Sequence, residues 1–129
     1  MLVQWLLSNL YNLLTMNHTV DATNKPLGRL ASEIAVLLRG KDKATFERHI
    51  DPKVAVNVVN AKDLKLTGTK LNTKLYHRYS GYPGGMKERT AAEVITKKGY
   101  GELIKKAVRG MLPDNKLRPL MLKRLTIND

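Results

Sequence analysis

The sequence predicts an α/β domain with a small, mostly parallel sheet and a helical C-terminal part. Three observations predict it. A short strand, an amphipathic helix and a second strand follow one another between Val20 and Ala61, the order of a right-handed parallel crossover. The second strand, VAVNVVNA, is apolar on both alternations, as a strand buried on both faces would be. From Thr90 onward, apolar residues recur mostly at helical spacing. At 129 residues the chain is long enough to bury one core. It shows no internal repeat and no low-complexity run.

The elements follow in order. Val20 to Ala22 is a short strand. Thr23 and Asn24 offer a capping side chain, and Pro26 suits the first turn of a helix. Leu27, Leu30, Ala31, Ile34, Leu37 and Leu38 then form the apolar stripe, with Arg29, Ser32 and Glu33 opposite. Gly40 is the C-terminal cap. GKDKATFERH follows as a basic loop carrying Lys41, Lys43, Arg48 and His49. After the strand at Val54 to Ala61, Leu64, Leu66 and Thr67 suggest another short strand closed by Gly68. Thr69 to Lys74 reads as a polar helical turn leading into a loop. Thr90 caps a helix holding Ala91, Val94 and Ile95, which Gly99 and Gly101 break. Glu102 to Leu112 is the next helix, with Leu103, Ala107, Val108 and Met111 inward and Lys105, Lys106 and Arg109 outward. Pro113 stops it. Leu117, Leu120 and Met121 make a short stripe, and Leu-Thr-Ile after Arg124 reads as an edge strand.

Charge narrows the function. The chain carries 23 Lys and Arg against 11 Asp and Glu, a net charge of +12. All the basic residues lie after residue 16. A domain this basic repels itself until an anion neutralises it, and nucleic acid is the usual partner, ahead of an acidic membrane surface. There is no cysteine, which removes zinc fingers, disulfide frameworks and cysteine nucleophiles.

No catalytic or metal-binding constellation stands out. Gly40-Lys41 is followed by Asp42, and Ala35 stands where a phosphate-binding loop needs its first glycine. Gly81, Gly84 and Gly85 do not space as GxGxxG. His18, His49 and His77 lack metal-ligand spacing. Ser32 and Ser80 lack the Gly-x-Ser-x-Gly context. Asp21, at the end of the first strand, is expected to bond local backbone donors. No cofactor, metal or small-molecule substrate is expected.

Residues 1–16, MLVQWLLSNLYNLLTM, form an uncharged, leucine-rich extension ahead of a single domain at 17–129. The segment is shorter than the ~20 residues of a membrane span and lacks the charged start and small-residue site of a signal peptide. Leu6, Leu10, Leu13 and Leu14 fall at helical spacing. Three readings stand: a peripheral helix docked on a partner, a membrane-surface element, or the product of an upstream start with Met16 the usual first residue. The lack of flanking basic residues weighs against the membrane.

The segment YHRYSGYPGGMKER, Tyr76 to Arg89, carries the most information. It interleaves tyrosines, cations, glycines and a proline. Aromatic rings and cations suit stacking on bases and pairing with phosphates, and glycines allow close backbone approach. The plain alternative is a turn set by Pro83 and the glycines, with the tyrosines as core residues.

Four segments in order, DATNKPLGRLASEIAVLLRGK, NAKDLKLTGTK, YHRYSGYPGGMKERTAAEVI and KKAVRGMLPDNKL, together resemble the bacterial-type large-subunit ribosomal protein thirteen family from about Val20 to about Leu125. The resemblance implies a three-layer α/β/α domain bound to 23S rRNA beside neighbouring large-subunit proteins. It also implies a role in early subunit assembly, no catalytic activity, and a place on the cytoplasmic ribosome. Two departures stand out. Tyr76-His77-Arg78-Tyr79 replaces the family's Tyr-Tyr-Arg-His, and Lys116-Leu117-Arg118-Pro119 replaces its Lys-Leu-Gly-Arg.

The expected interface follows from both readings. Arg78, Lys87 and Arg89 hold the loop on the RNA backbone, and Tyr79 and Tyr82 stack on bases or riboses. Gly81, Gly84 and Gly85 permit close approach, and His77 and Ser80 add polar contacts. Lys41, Lys43, Arg48, Lys65, Lys70, Lys105, Arg109, Lys116 and Lys123 form a second tier, about half of them expected to touch RNA because phosphate contacts come in clusters. The rival from another class is a free regulatory RNA-binding module acting on messenger RNA, which would use the same basic surface.

Overall fold

A computed structural model describes every residue except Thr15, and of Ser8, Asn9, Tyr11, Asn12, Leu13 and Leu14 it describes the backbone alone. The described elements run α1 (Leu2–Leu14), β1 (Met16–Asp21), α2 (Leu27–Arg39), β2 (Val54–Val59), a 3-10 turn (Ala61–Asp63), α3 (Lys70–Thr73), β3 (Leu75–Tyr79), β4 (Met86–Thr90), α4 (Ala91–Lys98), α5 (Tyr100–Met111), α6 (Arg118–Lys123) and β5 (Leu125–Ile127). The α/β class is as expected.

β1, β2 and β5 form a parallel sheet in that order. The register sets His18 beside Val56 and Val20 beside Val58, and Val56 in turn beside Leu125. The inner face therefore carries Val20, Val54, Val56, Val58 and Leu125, all buried. Leu30, Ala31, Ile34, Ala35 and Leu38 of α2 and Ile104 and Val108 of α5 join them in one core, so both helices cover the same face of the sheet. Burying each of the Val, Leu and Ile side chains stabilises the fold by roughly 1.5–3 kcal/mol. The outer face carries Asn17, Thr19, Asp21, Asn57 and Thr126 together with the half-buried Ala55 and Val59, none of them buried. β2 is thus buried on one face and only half-buried on the other, where both faces were expected to be covered.

Several local expectations are corrected. The first strand begins four residues earlier than expected, at Met16. Its polar residues hid it: Val20 alone in the strand is buried, His18 is half-buried and Met16 is exposed. Neither Thr23 nor Asn24 caps α2: Pro26 precedes it in extended conformation without a side-chain bond. Gly40 does cap it, in the left-handed conformation. Leu64, Leu66 and Thr67 form no strand; a lone bridge joins Pro26 to Lys65. α5 runs through Gly101 and starts at Tyr100. Gly99 alone breaks the chain there, at φ +83 and ψ 176, a conformation open almost only to glycine. Ile104 is fully buried while Met111 is 44% exposed, so the inward stripe of α5 runs through Ile104 instead of Met111. Of the expected α1 stripe, Leu6 and Leu10 are exposed, and the side chains of Leu13 and Leu14 lie outside the described residues.

Asp21 does what its position suggested. Its Oδ1 accepts from the Thr23 backbone N–H at 3.0 Å, the Thr23 hydroxyl at 2.7 Å and the Asn60 amide at 3.2 Å. The Thr23 hydroxyl leads the bonds that hold its carboxyl below the ordinary carboxylate range. At the other end of the sheet, Arg124 donates to both Asp51 carboxylate oxygens, one bond at 2.8 Å. This pair ties the long basic loop after α2 to the start of β5.

Candidate nucleic-acid interface

The tyrosine-glycine segment is a β-hairpin, where a loop was expected. β3 and β4 pair antiparallel, setting Tyr76 opposite Arg89, His77 opposite Glu88, Arg78 opposite Lys87 and Tyr79 opposite Met86. Opposed residues share a face, so Tyr76, Arg78, Lys87 and Arg89 lie on one side and His77, Tyr79, Met86 and Glu88 on the other. Tyrosine and threonine favour strands, but charged residues on both faces concealed the pattern. The turn closes with the Gly85 N–H donating to the Tyr82 carbonyl at 3.0 Å. Gly81 and Gly84 stand at φ +91 and +72. A Cβ at Gly85 would lie 2.0 Å from the Ser80 hydroxyl and 3.0 Å from the Tyr82 carbonyl oxygen, so a larger residue there would have to turn Ser80 away and crowd the turn.

Thr90 ends the hairpin and caps α4, its hydroxyl accepting from the Glu93 N–H at 3.3 Å. That junction folds the hairpin against the C-terminal helices. Ala91, Val94 and Leu103 form a second small core, against which Tyr76, Leu66 and Tyr100 pack. Tyr76 is the hinge of the arrangement. Lys106 Nζ lies 5.1 Å from its ring centre and Lys74 Nζ 5.9 Å, and burial raises its phenol above the ordinary value.

Between the hairpin and α4 and α5 lies a cleft of about 350 Å³. Arg78, Lys87 and Arg89 line it from the hairpin, and Lys97, Lys98 and Lys106 from the helices. Ser80 and Gly85 close its end. No carboxylate lines the cleft among the described residues. Six cations converging without a counter-charge create a strongly positive potential that a polyanion neutralises. Glu88 is engaged elsewhere, 3.1 Å from His77 Nδ1 on the hairpin's other side.

The expected site residues separate accordingly. Arg78, Ser80, Gly85, Lys87 and Arg89 meet in the cleft, and His77 also borders it. Tyr79 and Tyr82 are 61% and 75% exposed, and Tyr79 stands on the face away from Arg78. Gly81 and Gly84 are exposed in the turn. Lys65 and Lys70 border an adjoining groove that shares Tyr76 and Lys106 with the cleft. Lys41, Lys43 and Arg48 lie in the separate loop tied down by Asp51. Lys105, Arg109, Lys116 and Lys123 are exposed and line neither cavity. Lys97, Lys98 and Lys106 were missing from the expected site. Part of their signal was present: Lys97 and Lys98 stand just before Gly99 on the helix that follows the hairpin directly, and Lys106 already read as outward. The Lys116–Pro119 departure is accommodated, with Pro119 in the first turn of α6 and Arg118 paired to Asp114 at 2.8 Å.

Among the described residues, no helix is long and apolar enough to cross a membrane, and no group of three or more His, Cys, Asp or Glu is placed to hold a metal.

The family model described as ribosomal protein L13 matches residues 15–128. Among curated proteins, the large ribosomal subunit protein uL13 of a Geobacter species is 54% identical over 110 residues, covering 85% of this chain and 77% of the relative. That of Geobacillus kaustophilus is 54% identical over 111 residues, covering 85% and 75%. The Trichlorobacter lovleyi protein is 49% identical over 116 residues, covering 88% and 81%.

Proposed function

The chain belongs to the ribosomal protein L13 family, and on that premise we propose that it is a structural constituent of the large ribosomal subunit that grips 23S rRNA through the cleft between the hairpin and α4–α5. It is a ribosomal protein and not an enzyme. The single observation that carries the RNA reading is the convergence of Arg78, Lys87, Arg89, Lys97, Lys98 and Lys106 on one cleft with no carboxylate in its lining.

In this reading the cations replace condensed counterions on the phosphates of packed RNA helices. Recognition is mainly of RNA shape, because side chains cannot read the deep groove of an A-form helix. The exposed Tyr79 and Tyr82 stack on bases or riboses outside the cleft. Residues 17–129 are the RNA-binding unit, acting on the cytoplasmic ribosome and in early subunit assembly. The basic loop carrying Lys41, Lys43 and Arg48 makes a second contact. The polar outer face of the sheet, with Asn17, Thr19, Asn57 and Thr126, is where a third layer is completed by neighbours in the particle.

The test is the double substitution Arg78→Ala with Arg89→Ala, measured against a 23S rRNA fragment. Weaker binding with a flatter salt dependence and an unchanged melting curve supports the reading. Unchanged affinity at low and high salt would sink it.

A further inference from the structure

The cationic cleft has a neighbour of different character. The groove that shares Tyr76 and Lys106 with it measures about 450 Å³. Its apolar lining comes from Pro26, Leu27, Leu66, Ala91, Ala107 and Met111. Lys65, Lys70 and Lys74 border it, and no carboxylate does. Two glycines line it, Gly28 in α2 and Gly110 in α5, and a Cβ built on either meets nothing within 4 Å. Neither glycine has a positive φ, so the backbone does not require them, and a glycine inside a helix weakens it relative to alanine. At these two points the groove wall carries no side chain.

We propose that this groove receives a single base turned out of the ribosomal RNA, while the phosphates flanking that nucleotide lie in the cationic cleft. The inference rests on the RNA-binding reading above and adds which part of the RNA enters where. An apolar slot of this volume is of the size that holds a small flat molecule. A phosphate-only grip has no use for it, whereas a base has two apolar faces to bury. Tyr76, common to both cavities, stands where the sugar would join base to phosphate. The nine different lysines and arginines that line the two cavities, without one acid, match a chain of regularly spaced phosphates better than the scattered carboxylates of a peptide. A base paired within an A-form helix cannot reach such a slot, so the nucleotide comes from a bulge, loop or end.

The experiment compares two RNA probes by fluorescence anisotropy: a short duplex, and the same duplex with one bulged adenosine. The full-length protein should bind the bulged probe about tenfold more tightly, the scale of one base stacked in a protein site. Gly110→Phe, filling the groove from α5, should erase that preference and leave duplex affinity unchanged. Gly28→Leu, filling it from α2, should do the same, so misfolding of one variant does not decide the matter. Equal binding of both probes, unaffected by either variant, overturns the groove assignment and leaves the cleft reading standing. Failure to bind either probe overturns both. If free AMP displaces the bulged probe as well as unlabelled bulged RNA does, the groove is a nucleotide site and the RNA source is overturned. Loss of a neighbouring ribosomal protein from particles built with Gly110→Phe, with RNA binding intact, assigns the groove to a protein and overturns it equally.

Discussion

The helix side of the cleft gives the sharpest quantitative prediction. Lys97, Lys98 and Lys106 supply half of its six cations, and all three are exposed. Changing them together to alanine therefore removes charge with little loss of packing. Lys106 gives up its position over Tyr76, worth roughly 0.5–1 kcal/mol at an exposed site. Each phosphate contact contributes about 0.7–0.9 to the slope of log affinity against log salt. With all six cations engaged, the cleft alone yields a slope of about −4 to −5, and the triple variant loses about 2–3 of that. Carried from 1 M down to 0.15 M salt, the loss amounts to roughly a hundredfold in affinity. The assay is binding of a 23S rRNA fragment across a potassium chloride series, with thermal melts as the folding control. A variant that keeps the full slope would refute the claim that the helices and hairpin form one phosphate site.

Three further perturbations test the frame that holds this site. Asp51→Asn should cost about 1.5–3 kcal/mol at neutral pH, the scale of a hydrogen bond to a charged group, because both members of the Asp51–Arg124 pair are only about one-fifth exposed. Arg124 holds the Asp51 carboxyl below its ordinary value of 3.8, so the pair's contribution is complete above that pH and fades as pH falls through the still lower folded value. The stability gap between wild type and variant should therefore close in acid melts, and a gap that widens there would contradict the pairing. Gly40→Ala should cost roughly 1–3 kcal/mol by denaturant titration, since the position has φ +73 and a new Cβ would sit 2.8 Å from Pro52 Cβ; a neutral effect would mean the cap is not held. Ile104→Ala, at a fully buried position, should lose about 2–5 kcal/mol, whereas Met111→Ala should lose far less; the reverse order would restore the stripe first expected for α5.

What was legible in the sequence was whatever had a strong period. α2 showed its stripe and its Gly40 cap, β2 its valines, and α4 its Thr90 cap. The parallel pairing of β1 with β2 followed from their order alone. The hairpin was not legible, because β3 and β4 expose charge on both faces and are supported mainly at Tyr76, so no alternation marks them. The start of β1 was hidden for a related reason: of its six residues only Val20 is buried, so little apolar signal marks the strand. Ile104 lost its place to Met111 because spacing alone allowed either, and only the contact with α2 and the sheet decides between them. At the candidate site, residue types in Tyr76–Arg89 pointed to a segment that borders the cationic cleft but not to its faces. Arg78 and Tyr79 are adjacent in sequence and opposite in space. Lys97, Lys98 and Lys106 became visible once the Thr90 cap folded α4 and α5 back onto the hairpin. The local pattern marked Lys106 as a surface lysine, but the convergence of the three on the hairpin is long-range packing.

An integral, RNA-gripping part of the large subunit, as proposed for this chain, stays with the particle through sucrose-gradient fractionation of a lysate after a high-salt wash, with copies counted by mass spectrometry. Retention at close to one copy per large subunit is expected. Free sedimentation, or a copy number far below one that varies between growth conditions, would contradict it and favour a regulator that uses the same basic cleft on another RNA.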